Sequence, residues 1–190
     1  MKLTSTLAAA LLAVSTAGSA WADPSYPTPN VVNPVTYTFH ALGDGDIYAY
    51  FLSSEAAYNE VIGMTVNGVP TGITGLGNHS SAVGAPLDLG TVSAGDLITF
   101  FIYVSTTGDT WSSDWWSNTD LSNHIYSTAY SGPYPADTFI SFEDLPGHSD
   151  YDYNDTAFAV SNVTTVPEPA DVVLMLAGFA LVSLLARRRQ

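Results

Sequence analysis

From Phe142 to Asp155 the chain reads FEDLPGHSDYDYND, a stretch crowded with oxygen donors. Glu143, Asp144, Asp150, Asp152, Asn154 and Asp155 all fall within it. Calcium takes six to eight oxygens at about 2.3–2.6 Å in a forgiving geometry, whereas magnesium demands a stricter octahedron and keeps more of its water. Alternation at Asp150, Asp152 and Asn154 can aim three oxygens the same way, so the six residues are expected to hold Ca2+. The EF-hand pattern is not met, because the glycine at its sixth position and the glutamate at its twelfth are missing. The competing account is a solvated acidic turn whose Asp and Asn bond their own backbone. Against it, so many carboxylates without a cation repel one another, and salt screens that repulsion only in part.

No basic side chain competes for these oxygens. The 190 residues carry 18 Asp and Glu against 4 Lys and Arg, for a net charge of −14. The basic residues are Lys2 and Arg187–Arg189, so nothing between them can form a Lys or Arg salt bridge. Nucleic acid is excluded as a partner, since phosphate binding needs a basic footprint. Cysteine is absent, which removes disulfides and thiol chemistry.

Other constellations are thinner. Trp111, Trp115 and Trp116 lie in the polar stretch 107–123 and could form a platform for sugar rings, although aromatic residues also cap the ends of sandwiches. Asp44 and Asp46 sit in a Gly-Asp-Gly-Asp turn that glycine and aspartate explain without a metal. His40, His79, His124 and His148 lack zinc-site spacing. No Gly-x-Ser-x-Gly elbow is present. A pair of carboxylates for glycoside hydrolysis is a spatial feature that sequence leaves open. The expectation is a protein that is not an enzyme, with a carbohydrate-binding module and a glycan-acting hydrolase as the alternatives.

The ends of the chain look like addresses. Residues 1–22 combine Lys2, an apolar run over Leu7–Val14 and an Ala20-Trp21-Ala22 cleavage pattern, so a signal peptide is expected, cut by signal peptidase after Ala22. At the other end, Pro167-Glu168-Pro169 precedes an apolar stretch, 170–186, and then Arg187, Arg188 and Arg189. As a helix those 17 residues span about 25 Å, workable for a membrane with snorkelling arginines. The positive-inside rule leaves the arginines cytoplasmic and the domain outside. The order Pro-Glu-Pro, short helix, Arg cluster resembles the PEP-CTERM sorting signal. That resemblance implies an exosortase-type protease as a partner, inner-membrane anchoring through the C-terminal helix, and release to the surface or medium after processing.

Between a Pro-rich lead, 23–34, and the sorting signal, 164–190, the elements that must position the acidic segment are strands. Runs rich in β-branched and aromatic residues cover Val35–Leu42, Asp46–Leu52, Val61–Val66, Leu87–Val92, Leu97–Val104, His124–Tyr130, Thr138–Phe142 and Thr156–Val163. Turn sequences such as Gly43-Asp44-Gly45-Asp46 and Asn67-Gly68 separate them. The fold class is therefore all-β, a β-sandwich of about eight strands over residues 35–163. The segment FEDLPGHSDYDYND with its following strand TAFAV, together with Asn123-His124, resembles a family of secreted β-rich domains of uncharacterised function. Such domains recur in PEP-CTERM proteins. Together these readings describe an exported, Ca2+-stabilised protein with a structural or adhesive role in an exopolysaccharide-containing matrix or biofilm.

Overall fold

The computed structural model describes residues 21–146 and 150–168. Two antiparallel sheets are built from eleven strands: β1 (Thr36–Ala41), β2 (Gly45–Ser53), β3 (Glu60–Val66), β4 (Val69–Gly75), β5 (Pro86–Val92), β6 (Leu97–Val104), β7 (Asp109–Ser112), β8 (Ile125–Ala129), β9 (Thr138–Phe142), β10 (Thr156–Val160) and β11 (Val163–Glu168). One sheet runs β11-β1-β6-β3-β4, with β7 also paired to β6, and the other runs β5-β2-β10-β9-β8. Among the described residues the single helical element is a one-turn 3-10 helix, Trp115–Ser117, and no helix is long and apolar enough to cross a membrane.

The period-two pattern of the strands builds the core. In β6, Ile98, Phe100, Ile102 and Val104 are buried while Leu97, Thr99, Phe101 and Tyr103 face outward. Ile47, Ala49 and Phe51 do the same in β2. These meet Phe39, Ile62, Met64, Ile140, Phe142 and Phe158 in one cluster shared by both sheets. The central strands β9 and β10 are buried on both faces, because a second cluster of Leu52, Tyr130, Phe139, Ala157 and Ala159 covers their other side. Fully burying an apolar side chain of this size contributes about 1.5–3 kcal/mol before the entropy of ordering is charged against it.

Three strands depart from the sequence expectation of about eight. The Asn67-Gly68 turn has both residues at positive φ, 51° and 80°, as a tight hairpin requires. Its returning strand β4 was obscured by Pro70 and Gly72, and Pro70 is tolerated because β4 is an edge strand. Strand β7 lies inside the polar stretch 107–123, where no strand is expected from the sequence. The expected strand Thr156–Val163 breaks at Ser161-Asn162, where Asn162 has φ 57°, and the chain crosses from one sheet to the other. β11 then pairs with β1 as far as Thr36 opposite Glu168, so Pro167 and Glu168 of the expected sorting motif stand in a strand of the sandwich.

Pro169, the 170–186 stretch, Arg187–Arg189 and the signal segment through Ala20 lie outside the described residues, and Ala22 is exposed at the start of them. The Pro-rich lead is tied down. Tyr26 is buried against Tyr153 and Tyr126, with ring centroids 4.8 and 5.4 Å away, and the Asn30 amide donates to the Asp150 carbonyl at 2.7 Å.

Candidate metal centre

The acidic segment joins the end of β9 to the start of β10, at the same end of the sandwich as the first residue of β3. Glu143 and Asp144 directly follow β9, and their backbone is clamped from both sheets. The Trp111 indole N–H on β7 donates to the Asp144 carbonyl at 2.7 Å. His124 Nδ1 lies 3.0 Å from the Glu143 carbonyl, and its Nε2 lies 3.0 Å from Asp120 Oδ2. Both ring nitrogens thus face oxygens. The imidazole also stacks on Trp111, centroids 3.9 Å apart and nearly parallel.

The other half of the segment is shaped by two tyrosines. Tyr151 and Tyr153 both take left-handed backbone, φ 49° and 55°, which is uncommon for bulky residues. Tyr153 is held there by its ring. It is buried, its hydroxyl accepts the Asn33 amide at 2.8 Å and donates to the Asn123 carbonyl at 3.0 Å, and its own N–H donates to Glu143 Oε1. The intervening Asp152 is consequently turned back toward Glu143.

The structure sorts five of the six expected ligands into two groups. Carboxylate oxygens of Glu143, Asp150 and Asp152 lie within 4.8 Å of one another, close enough to share a cation. Asp144 and Asp155 form a second group, in which Asp155 Oδ2 accepts the Asp144 amide at 2.8 Å. Asn154 presents its amide nitrogen to Asp152 Oδ2 at 2.6 Å and to Glu55 Oε2 at 3.4 Å, and so orients carboxylates here. His148 lies outside the described residues. Asp44 accepts from the Ala94 amide at 2.8 Å, and Asp46, in β2, accepts from the Thr91 hydroxyl across the sheet at 2.6 Å. Of the tryptophans, Trp111 is buried and unavailable to a ligand from solvent, while Trp115 and Trp116 stack at 3.8 Å with Trp116 66% exposed.

Sequence reasoning missed Glu60. It opens β3, is 2% exposed, and feels the charges of Asp144 and Asp155 of the second group. Its position immediately before the Val61–Val66 strand was the one available signal. An open cleft of about 410 Å³, lined by Glu55, Tyr58, Asp144, Asp150 and Asp155, connects this end of the fold to solvent.

These acids are poorly satisfied. Among the described residues, both Glu60 carboxylate oxygens, Glu143 Oε2 and Asp144 Oδ2 are buried with no hydrogen-bond partner. Burial, followed by the neighbouring Asp144 and Asp155, pushes Glu60 up to about 10. Burial likewise raises Glu143 to about 8, against the opposing Tyr153 N–H, and Asp155 to about 7. Asp152 is raised by burial and by Asp150. An orphaned buried carboxylate oxygen needs a proton or a cation, and an all-oxygen donor set of this kind suits a hard divalent ion. No protein-family model, curated protein or solved structure matches the chain.

The raised carboxyls set a direction for stability against pH. A folded state that holds protons more tightly than the unfolded chain is favoured below the ordinary carboxylate range and loses that advantage as pH rises through the folded values. The metal-free protein is therefore expected to melt higher at pH 5.5 than at pH 8.5, the loss accumulating as pH climbs from the ordinary carboxylate range and levelling off for each group above its raised value. Scanning calorimetry on metal-stripped protein checks this. A melting temperature that climbs with pH would contradict the burial of these groups.

Proposed function

We propose that this chain is an exported β-sandwich stabilised by calcium, with a structural or adhesive role in an extracellular matrix and no catalytic activity. The carrying observation is the end of the sandwich where Glu143, Asp150 and Asp152 converge with an orphaned Glu143 oxygen, in a fold that contains no Lys or Arg. Calcium is preferred over magnesium because the set mixes a buried, a half-buried and an exposed carboxylate, which tolerates irregular geometry and leaves room for water. Bound calcium would couple β9, β10 and the Pro-rich lead, so binding energy becomes folding energy. Export and processing by an exosortase-type system rest on Lys2, Ala20-Trp21-Ala22, Pro167-Glu168-Pro169 and Arg187–Arg189. The matrix role follows from that resemblance together with the strongly acidic, cysteine-free composition.

A ligand that binds only the folded state stabilises by about 2.7 kcal/mol at a hundredfold excess over Kd, or roughly 5–10 °C in melting temperature for a domain of this size. Calcium is expected to give a shift of that order, and magnesium less. Asp152→Ala should bind calcium at least tenfold more weakly and lose most of the shift. If the segment is instead a solvated acidic turn, deleting a carboxylate relieves repulsion. An Asp152→Ala protein that melts higher at low salt and binds calcium as tightly as the parent would then reject the assignment.

A second reading, carbohydrate recognition, is favoured by one observation, the stacked pair of a half-buried Trp115 and an exposed Trp116. Aromatic faces of this kind suit sugar rings. It predicts glycan-array binding that disappears when both tryptophans are replaced by alanine. Binding that survives the double substitution would dismiss it.

A further inference from the structure

We propose that the outer face of the six-stranded sheet, over β3, β6 and β7, carries a binding groove for an uncharged polysaccharide, with the Phe101 ring as its floor. The strand registers build it. Phe101 and Thr99 belong to the outward-facing set of β6; Phe101 stands opposite Gly63 on β3 and Ser112 on β7, and Thr99 stands opposite Thr65. Directly opposed residues share a face of the sheet, so the ring has a glycine on one side and a serine on the other. A Cβ at position 63 would collide with that ring, which therefore lies over Gly63. Phe101 stays half-buried on the side away from the core. The cleft it lines holds about 520 Å³, within the range of small-ligand sites, about 300–1,000 Å³.

The walls supply hydroxyls and one carboxylate. Thr65, Thr99, Thr110 and Ser117 line the cleft together with Asp114. Asp114 Oδ1 accepts the Trp116 amide at 3.3 Å and Oδ2 accepts the Ser117 hydroxyl at 2.9 Å, which fixes the carboxylate while leaving each oxygen a further lone pair. An aromatic floor suits the C–H face of a sugar ring, and a rim of hydroxyl and carboxylate oxygens suits its hydroxyls. With no Lys or Arg from residue 3 to residue 186 and a net charge of −14, a uronate or phosphate-bearing glycan meets only repulsion, so neutral hexose units are the class that fits. This site deepens the carbohydrate reading and rests on it for the class of ligand. Asp114 and Ser117 bracket Trp115 and Trp116 in the chain, so sugars seated over Phe101 leave the groove beside the tryptophan pair. The rival explanation is packing alone, in which Phe101 covers the backbone bared at Gly63 and nothing binds above it.

An array of gluco-, manno- and galacto-oligosaccharides printed beside oligouronates, probed with the full chain, tests this. Binding to neutral oligomers and not to oligouronates is expected. On the best neutral oligomer, Phe101→Leu should raise Kd about tenfold with an unchanged melting temperature, because leucine still covers Gly63 but offers no ring face. Should that variant fail to fold, Thr110→Trp, at an exposed position on the rim, fills the groove and is expected to give the same loss. No binding, or binding confined to oligouronates, overturns the proposal. So does a neutral-glycan Kd that neither variant changes; if the double alanine substitution of Trp115 and Trp116 abolishes that binding, the tryptophan reading stands and this site fails. Binding lost in Phe101→Leu but kept by the double substitution dismisses the tryptophan pair and leaves this site standing. A parent that sediments as a dimer, split by Phe101→Leu, assigns the face to a second copy of the chain and overturns the proposal.

Discussion

Uncompensated negative charge is the constraint on which this molecule is organised. A folded region without Lys or Arg cannot neutralise an acid by pairing it with either, so apart from Asp120 beside His124 each carboxylate must be solvated, hydrogen-bonded, protonated or bound to a cation. Most are solvated or accept backbone and side-chain donors, as Asp44, Asp46 and Asp96 do. Glu60, Glu143 and Asp144 are neither solvated nor fully hydrogen-bonded. They are buried at one end of the sandwich with orphaned oxygens, and Asp155 stands beside them. Burying an unpaired charge is costly enough that a fold keeps it only where something compensates.

The scaffold around these acids is correspondingly rigid. Trp111 and His124, stacked on one another, fix the Glu143 and Asp144 backbone, while Tyr153 forces the returning loop through left-handed conformations and anchors it to Asn33 and Asn123. The Pro-rich lead completes the support through Tyr26 and Asn30. Local backbone cost is accepted here and offset by buried aromatic contacts, a pattern common where side chains must be held in place for a ligand.

Much of this was legible in the chain. Alternation in β2 and β6 and the turn sequences between runs identify an all-β, two-sheet fold, and the density of oxygens from Glu143 to Asp155 marks the segment where the acids gather. What escaped has physical causes. β4 is an edge strand, so it carries proline and glycine that a central strand would refuse; β11 follows β10 after a two-residue corner invisible to hydrophobic pattern. Glu60 lies more than eighty residues from its partners and gains its meaning only when β3 is placed beside the β9–β10 connection. The aromatic cluster reads differently in three dimensions as well: Trp111 belongs to the support of the acidic centre, and Trp115 with Trp116 remains at the surface. Alternation at Asp150, Asp152 and Asn154 suggested three like-pointing ligands, whereas the left-handed tyrosines bring Glu143 to the two aspartates and turn Asn154 to a supporting role.

Metal binding to carboxyls that hold protons must release those protons, so the heat of binding depends on the buffer that takes them up. Calcium titrated into the metal-free full chain at pH 7, in two buffers of different ionisation enthalpy, therefore tests the central claim most directly. The account predicts saturable binding with net proton release, since Glu60 and Glu143 are raised to about 10 and 8 and Asp155 to about 7. Absence of saturable binding, or binding with the same heat in both buffers, would contradict it.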